Sequence, residues 1–246
     1  MSINKLGVHA RVFAGGTPPD DHLSALEALV DRVNALAAQS GDMRMLVGIA
    51  GSPGGGKTTL AKAIVDAINS AEPGLAAYLP MDGFHLANST LNRLGLHDRK
   101  GAIDTFDGWG FRALLDRLRE ETGHTIYAPS FDRHVDEGVA GEIAIDDRAR
   151  IVLVEGNYLL ADGEPWGTLR NRFAETWFCS TPESERIARL VARHTGHGRT
   201  VDAAENWATQ VDGKNAQLIE ATQHKADLVI SGVTGAIIPS SGRGGA

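Results

Sequence analysis

The chain has 246 residues, enough for one large domain or two small ones with a full hydrophobic core. Hydrophobic residues make up 42% and charged residues 22%, which excludes a disordered, collagenous or coiled-coil protein as the main reading. The formal charge of −7, from 24 Lys and Arg against 31 Asp and Glu, lacks the overall basic footprint of a nucleic-acid binder.

Residues 1–19 are a mixed leader ending in Gly15-Gly16-Thr17-Pro18-Pro19. Over 20–39, Leu23, Leu26, Leu29, Val30, Val33 and Leu36 fall at helical spacing. This helix is expected to pack on a sheet, with a homodimer contact as the alternative. Residues 45–50 form an apolar run, read as a buried strand. A glycine-rich turn follows, then a helix with Leu60, Ile64, Ala67 and Ile68 on one face, stopping before Pro73-Gly74. Residues 76–80 read as a second strand and 85–110 as loop. A helix is expected over 111–121, with Leu114, Leu115 and Leu118 inward. Residues 125–128 read as a strand and 129–148 as a hairpin excursion. Residues 151–154 are a β-branched central strand, and 176–179 another. Helices over 182–194 and 202–224 and a last strand over 228–230 complete the pattern. Strands alternating with helices predict right-handed βαβ units and a parallel sheet of about five strands, with helices on both faces.

Gly51-Ser52-Pro53-Gly54-Gly55-Gly56-Lys57-Thr58 fits G-x-x-x-x-G-K-[ST] in full. Successive backbone N–H groups in such a loop form a concave anion site. The following helix points its positive end at the same anion. Lys57 would reach the terminal phosphates, the Thr58 hydroxyl would ligate Mg²⁺, and Thr59 extends the nucleotide-binding set. An apolar strand precedes the loop and an amphipathic helix follows it, as the motif requires. A ligand-free glycine turn would have no use for Lys and Thr here. The expected ligand is a nucleoside triphosphate with Mg²⁺.

No guanine-reading N-K-x-D follows a strand. Asp98-Arg99-Lys100-Gly101 and Asp107-Gly108-Trp109-Gly110 fit D-x-x-G without a preceding apolar strand. These absences argue against a switch GTPase, and the length suits a small kinase. The second strand ends in Leu79-Pro80-Met81-Asp82-Gly83-Phe84-His85. Ligands of open parallel sheets bind outside the carboxyl ends of strands, so Asp82 shares an edge with the phosphate loop. There it could take the proton of an acceptor hydroxyl, cap the next helix, or bind Mg²⁺. The run Ile151-Val152-Leu153-Val154-Glu155-Gly156-Asn157-Tyr158 resembles a Walker B strand with Glu155 at its end, serving Mg²⁺ or the acceptor. Arg186, Arg189 and Arg193 recur at helical spacing, and Thr195-Gly196-His197-Gly198-Arg199 follows as a basic loop. Together they read as a lid over the phosphates, about 186–200, with a solvated basic face as the alternative.

In that order, the phosphate loop, Met81-Asp82-Gly83-Phe84-His85, the strand ending at Glu155 and the arginine-rich lid resemble the uridine kinase, pantothenate kinase and phosphoribulokinase group of P-loop kinases. Arg99-Lys100-Gly101 with Asp104-Thr105-Phe106-Asp107 is similar to that group's acceptor-side segment, and Phe131-Asp132-Arg133-His134 to its acceptor-contact loop. The resemblance covers roughly 44–231 and extends to bacterial nucleoside/nucleotide and fructose-transport kinases. It implies a P-loop NTPase fold for a kinase domain over 44–231; the leader and helix 1–43 precede it, and the linker-like composition of the last residues reads as a flexible tail, 232–246. It implies ATP-dependent phosphorylation of a hydroxyl on a nucleoside, sugar or related metabolite, with pantothenate as an alternative acceptor. Asp82 would be the base, with Lys57 and Arg193 catalytic beside it. ATP would be held by residues 51–59 with Arg189 and Arg199. Phe84, His85, Arg99, Lys100, Asp132, Arg133 and Glu155 would line the acceptor pocket, and Thr58 and Glu155 would hold Mg²⁺. A nucleotide-binding regulator or transport-associated ATPase without an acceptor is the rival reading from another class.

Cys179, the single cysteine, permits neither an internal disulfide nor a cysteine-built zinc site and reads as a buried strand residue. No apolar run reaches the ~18–20 residues that cross a bilayer. The first residues lack a signal-peptide core. A cytoplasmic protein with no membrane or nucleic-acid partner is therefore expected. His194 and His197 are three apart but have no evident third metal ligand. Trp109, Trp166, Trp177 and Trp207 read as packing residues.

Overall fold

In the strand Met45–Ala50 (β1) every residue is buried. Its side chains alternate between two cores: Leu46 and Ala50 enter one, Met45, Val47 and Ile49 the other. Period-two alternation with both faces apolar is the pattern of a strand covered on both sides. The computed structural model describes residues 20–239, so the leader 1–19 and residues 240–246 lie outside the described residues.

The other elements follow in chain order. Asp20–Gln39 is α1, Lys57–Ala71 α2, Ala76–Pro80 β2, Asn88–Leu94 α3 and Gly108–Glu120 α4. Ile126–Asp132 is β3, Glu137–Ile145 β4, Ile151–Gly156 β5, Glu175–Ser180 β6 and Glu183–Gly196 α5. Val201–Gln210 is α6, Asp212–Glu220 α7, Leu228–Ser231 β7 and Ile237–Ile238 β8. The main sheet has the order β2-β5-β1-β6-β7-β8; β3 and β4 form a separate antiparallel pair. The five strands β2, β5, β1, β6 and β7 are mutually parallel. This is the predicted α/β P-loop arrangement, with β8 added antiparallel to β7 as a sixth strand.

One face of the sheet packs against α4 through Phe111, Leu114, Leu115 and Leu118. The other packs against α2 and α1 through Leu60, Ile64, Ile68, Leu26, Leu29 and Val33. Helix α1 is also tied to β6: Arg32 Nε donates to Glu175 Oε2 at 2.7 Å, and Trp177 Nε1 donates to the same oxygen at 3.0 Å. The helix expected to sit on the sheet does so.

Three segments differ from the sequence reading. Residues 85–110 are not plain loop but contain α3 and short 3-10 turns at His97–Arg99 and Ile103–Thr105. Asp107 caps α4 by accepting from the Gly110 amide at 2.8 Å, which gives the D-x-x-G there a structural role. The helix expected over 202–224 is two helices, because the chain turns at Val211. The tail drawn from 232 starts too early, since β8 pairs with β7 inside it.

If α1 belongs to the folded unit, Leu29→Ala, at a site with no exposure, will destabilise the protein by about 2–5 kcal/mol. A shift of the urea midpoint in one cooperative transition is the expected readout.

Candidate active site

The parallel register sets the site. Glu155 pairs alongside Ile49 of β1 and Pro80 of β2. The chain therefore leaves β1 into the glycine loop, and β2 into the turn Met81–Phe84, at the same sheet edge. A cleft of about 870 Å³ opens there.

Gly56 ends the loop and caps α2 in the left-handed region, at φ 92°. An added Cβ would also lie 2.8 Å from the Gly232 carbonyl oxygen. Gly232, just past β7, backs onto the loop so closely that a Cβ there would overlap the Gly55 carbonyl oxygen. That oxygen accepts from Thr181 Oγ1 at 2.8 Å and from Cys179 Sγ at 3.0 Å. The cysteine is thus buried as expected, and burial pushes its thiol up to about 12.

Lys57 is buried; its Nζ donates to the Ser52 carbonyl at 3.0 Å and to Asn157 Oδ1 at 2.8 Å. Desolvation lowers its pKa, partly countered by Glu155. Glu155, also buried, accepts on one oxygen from Thr58 Oγ1 at 3.1 Å and Tyr78 Oη at 2.8 Å. Burial raises its pKa, with Lys57 opposing. Asn157 and Tyr78 were missed by sequence reasoning. Asn157 stands two places beyond Glu155 in the quoted run, and Tyr78 lies four before Asp82; neither spacing is diagnostic by itself.

Asp82 lies in the cleft with 28% of its side chain exposed, and Arg133 Nη2 donates to its Oδ2 at 3.0 Å. Burial alone would push this carboxyl up. The summed fields of His85, Arg133, Lys57 and Arg193 hold it below the usual carboxylate range. The His85 ring lies between Phe106 and Phe131, at centroid distances of 4.0 and 4.6 Å. Its Nδ1 donates to the Asp82 backbone oxygen at 2.7 Å, since a carbonyl can only accept.

The arginines of α5 divide. Arg186 is buried and donates to the Pro53 carbonyl at 3.4 Å, so it props the loop and is not a solvated face. Arg189 Nη1 reaches the Gly54 and Gly232 carbonyls at 3.4 and 3.1 Å. Arg193 lines the cleft; burial lowers its pKa, and the nearby Arg133 lowers it further. Arg199 lines the cleft with its guanidinium 4.0 Å above the Trp207 ring. Of the four tryptophans, Trp166 and Trp177 are buried, Trp109 is exposed, and Trp207 joins the cleft wall.

Of the expected residues, 53–59 lie along the cleft with Asp82, His85, Lys100, Arg133, Glu155, Arg189, Arg193 and Arg199. Gly51 and Ser52 sit behind it; Ser52 Oγ donates to Glu220 Oε1 at 2.5 Å. Three acceptor candidates are not brought to the cleft. Phe84 packs edge-on against Phe111 in the core, 5.2 Å between centroids. Arg99 points away and pairs with Asp104 at 2.5 Å. Asp132 accepts from the His134 amide at 2.7 Å and so fixes the hairpin turn. Each stands beside a residue that does line the cleft: His85, Lys100 and Arg133. Among the described residues, no group of three His, Cys, Asp or Glu could hold a metal by itself. No described helix is long and apolar enough to cross a membrane.

Two outcomes follow from this geometry. Gly232→Ala is expected to weaken ATP binding at least about tenfold without altering the glycine loop's own sequence; titration with a fluorescent ATP analogue measures it. Burial lowers the His85 pKa from its ordinary 6.5, against the raising effect of Asp82. The unfolded chain therefore binds this proton more readily than the fold. The stability contributed is full above about pH 6.5 and is lost as pH falls below it. Tm should decline between about pH 7.5 and 5.5, with a shallower slope in His85→Gln.

The profile of the phosphoribulokinase / uridine kinase family matches residues 46–238. A uridine kinase of Clostridium novyi is 30% identical over 195 residues, covering 76% of this chain and 86% of that protein. The uncharacterised YggC of Escherichia coli is 32% identical over 204 residues, 82% of this chain and 84% of that one. A crystal structure from Silicibacter sp. TM1040, described as a candidate fructose transport system kinase, superposes with a TM-score of 0.76 at 38% identity, covering 83% of this chain and 98% of that one.

Proposed function

The chain belongs to the phosphoribulokinase / uridine kinase family of P-loop kinases, and from that premise we propose that it uses Mg²⁺-ATP to phosphorylate a hydroxyl of a small metabolite. The observation that carries this reading is the placing of Asp82 in one cleft with the glycine loop and Lys57, as a carboxylate held ionised by surrounding cations.

The backbone amides of residues 53–56 and the amino end of α2 would cradle the phosphates. Lys57, at that helix end, would leave Asn157 for the terminal phosphates, and Arg193 would meet the transferring group from the opposite wall. An acceptor hydroxyl beside Asp82 would give its proton to that carboxylate as its oxygen bonds the γ-phosphorus and the bond to the β,γ-bridging oxygen breaks, releasing ADP. Arg133 must yield Asp82 Oδ2, or Asp82 must use its other oxygen. Residues of α5 and α6 would cover the cleft and keep water from competing with the acceptor.

A hydroxyl and a carboxylate 3.1 Å apart at the sheet edge suit Mg²⁺, which takes few protein ligands and completes its shell with phosphate oxygens and waters. Thr58 and Glu155 would hold it, and when bound it neutralises charge on the terminal phosphates. The expected compartment is the cytoplasm, and the expected partner a small molecule.

ADP release by the purified chain should rise on adding an acceptor from a panel of nucleosides, sugars, sugar phosphates and pantothenate. Hydrolysis indifferent to every member would favour an ATPase without an acceptor. Asp82→Asn should lower kcat by about 10²–10⁴-fold while ATP affinity stays within a few-fold. A variant that keeps its rate removes Asp82 as the base.

A further inference from the structure

The whole chain is acidic, at −7, but the cleft is not. Its wall carries six Lys and Arg side chains, five carboxylates and five histidines. Pairing among these groups decides what is left for a ligand. Three carboxylates are already matched within the wall: Asp82 by Arg133, Asp136 by Lys100 and Asp212 by His194, each at 3.0 Å. Glu155 sits at the phosphate end with Thr58 and Tyr78. Glu185 belongs to the first turn of α5, beside the loop. Among the described residues, Arg193, Arg199, His97 and His134 line the cleft with no acidic partner within 4 Å.

The wall is also poor in neutral polar groups. Its one amide, Asn157, is engaged by Lys57. A neutral sugar or nucleoside needs carboxylates and amides to accept from its hydroxyls and to meet its base edges. Apart from Glu185 beside the loop, such acceptors gather around Asp82. There the carboxylate is joined by His85 Nε2, whose lone pair is free because Nδ1 carries the proton given to the Asp82 carbonyl. Elsewhere the unmatched groups are cationic or imidazole, and these favour an oxyanion through charge-assisted hydrogen bonds.

We propose that the acceptor is a hydroxylated small molecule that also carries an anionic group, a phosphate or a carboxylate. This rests on the kinase reading above. The hydroxyl end lies at Asp82 and His85. The anionic end lies toward His97 and His134. The transfer balances as before: the acceptor oxygen gains phosphorus, its proton passes to Asp82, and ADP departs.

The test is ADP release by the full chain with Mg²⁺-ATP and matched probes: ribose and ribose 5-phosphate, fructose and fructose 6-phosphate, uridine and uridine monophosphate, glycerol and glycerate. Turnover with the anionic partner, at kcat/KM at least about tenfold above the neutral one, is the expected result. Whether phosphate or carboxylate is read is decided by which arm responds. The double variant His97→Gln, His134→Gln should then raise the acceptor KM about tenfold or more. Its kcat and the KM for ATP should stay within about threefold. A neutral probe used as well as its anionic partner, or an unmoved acceptor KM in the double variant, overturns the proposal and leaves the kinase reading standing. No response to any probe overturns both.

Discussion

The site depends on one constraint, the level register of β2, β5 and β1. Ile49, Glu155 and Pro80 lie abreast. Each strand is followed at once by a functional group: the glycine loop after β1, Asn157 after β5, Asp82 after β2. A slip of one residue in any of the three would turn every side chain of that strand to the opposite core. Both faces are apolar, so the differing shapes of the two cores, not polarity, hold the register. The burial of Leu153, Val154, Ile49 and Leu79 thus fixes where Asp82 stands relative to Lys57.

Burial at that edge also sets the charges. Lys57 and Glu155 are both taken out of water, and each supports the charged form of the other. Neither rests on that attraction alone. Lys57 has a carbonyl and an amide oxygen, and Glu155 has two hydroxyls. A buried charge without such partners would be strongly destabilising. Asp82 differs: it is partly open to the cleft and surrounded by cations, so it remains a carboxylate when its neighbour Glu155 is pushed toward neutrality.

Much of this was legible from residue order. The glycine loop, both central strands, Asp82 and Glu155 were readable because backbone chemistry and sheet polarity dictate them. Phe84, Arg99 and Asp132 were misplaced because direction within a turn depends on dihedral angles that residue types do not fix. Tyr78 and Asn157 escaped notice because their roles come from pairing across strands far apart in sequence. The break at Val211 was hidden by continuous helical spacing, yet it brings Asp212 to His194. Gly232 looked like part of a tail, and only the approach of β7 to the loop reveals why a side chain is not accommodated there.

The contact between Gly56 and Gly232 divides the molecule into parts with unequal freedom to change. Substitution on either side of that seam disturbs the nucleotide cradle itself. The antiparallel pair β3–β4 lies outside the main sheet and contributes its turn to the cleft wall. New side chains at that turn can therefore be sampled without re-forming the seam. Descendants of one ancestral scaffold could diverge in what they phosphorylate while inheriting the same means of gripping the donor.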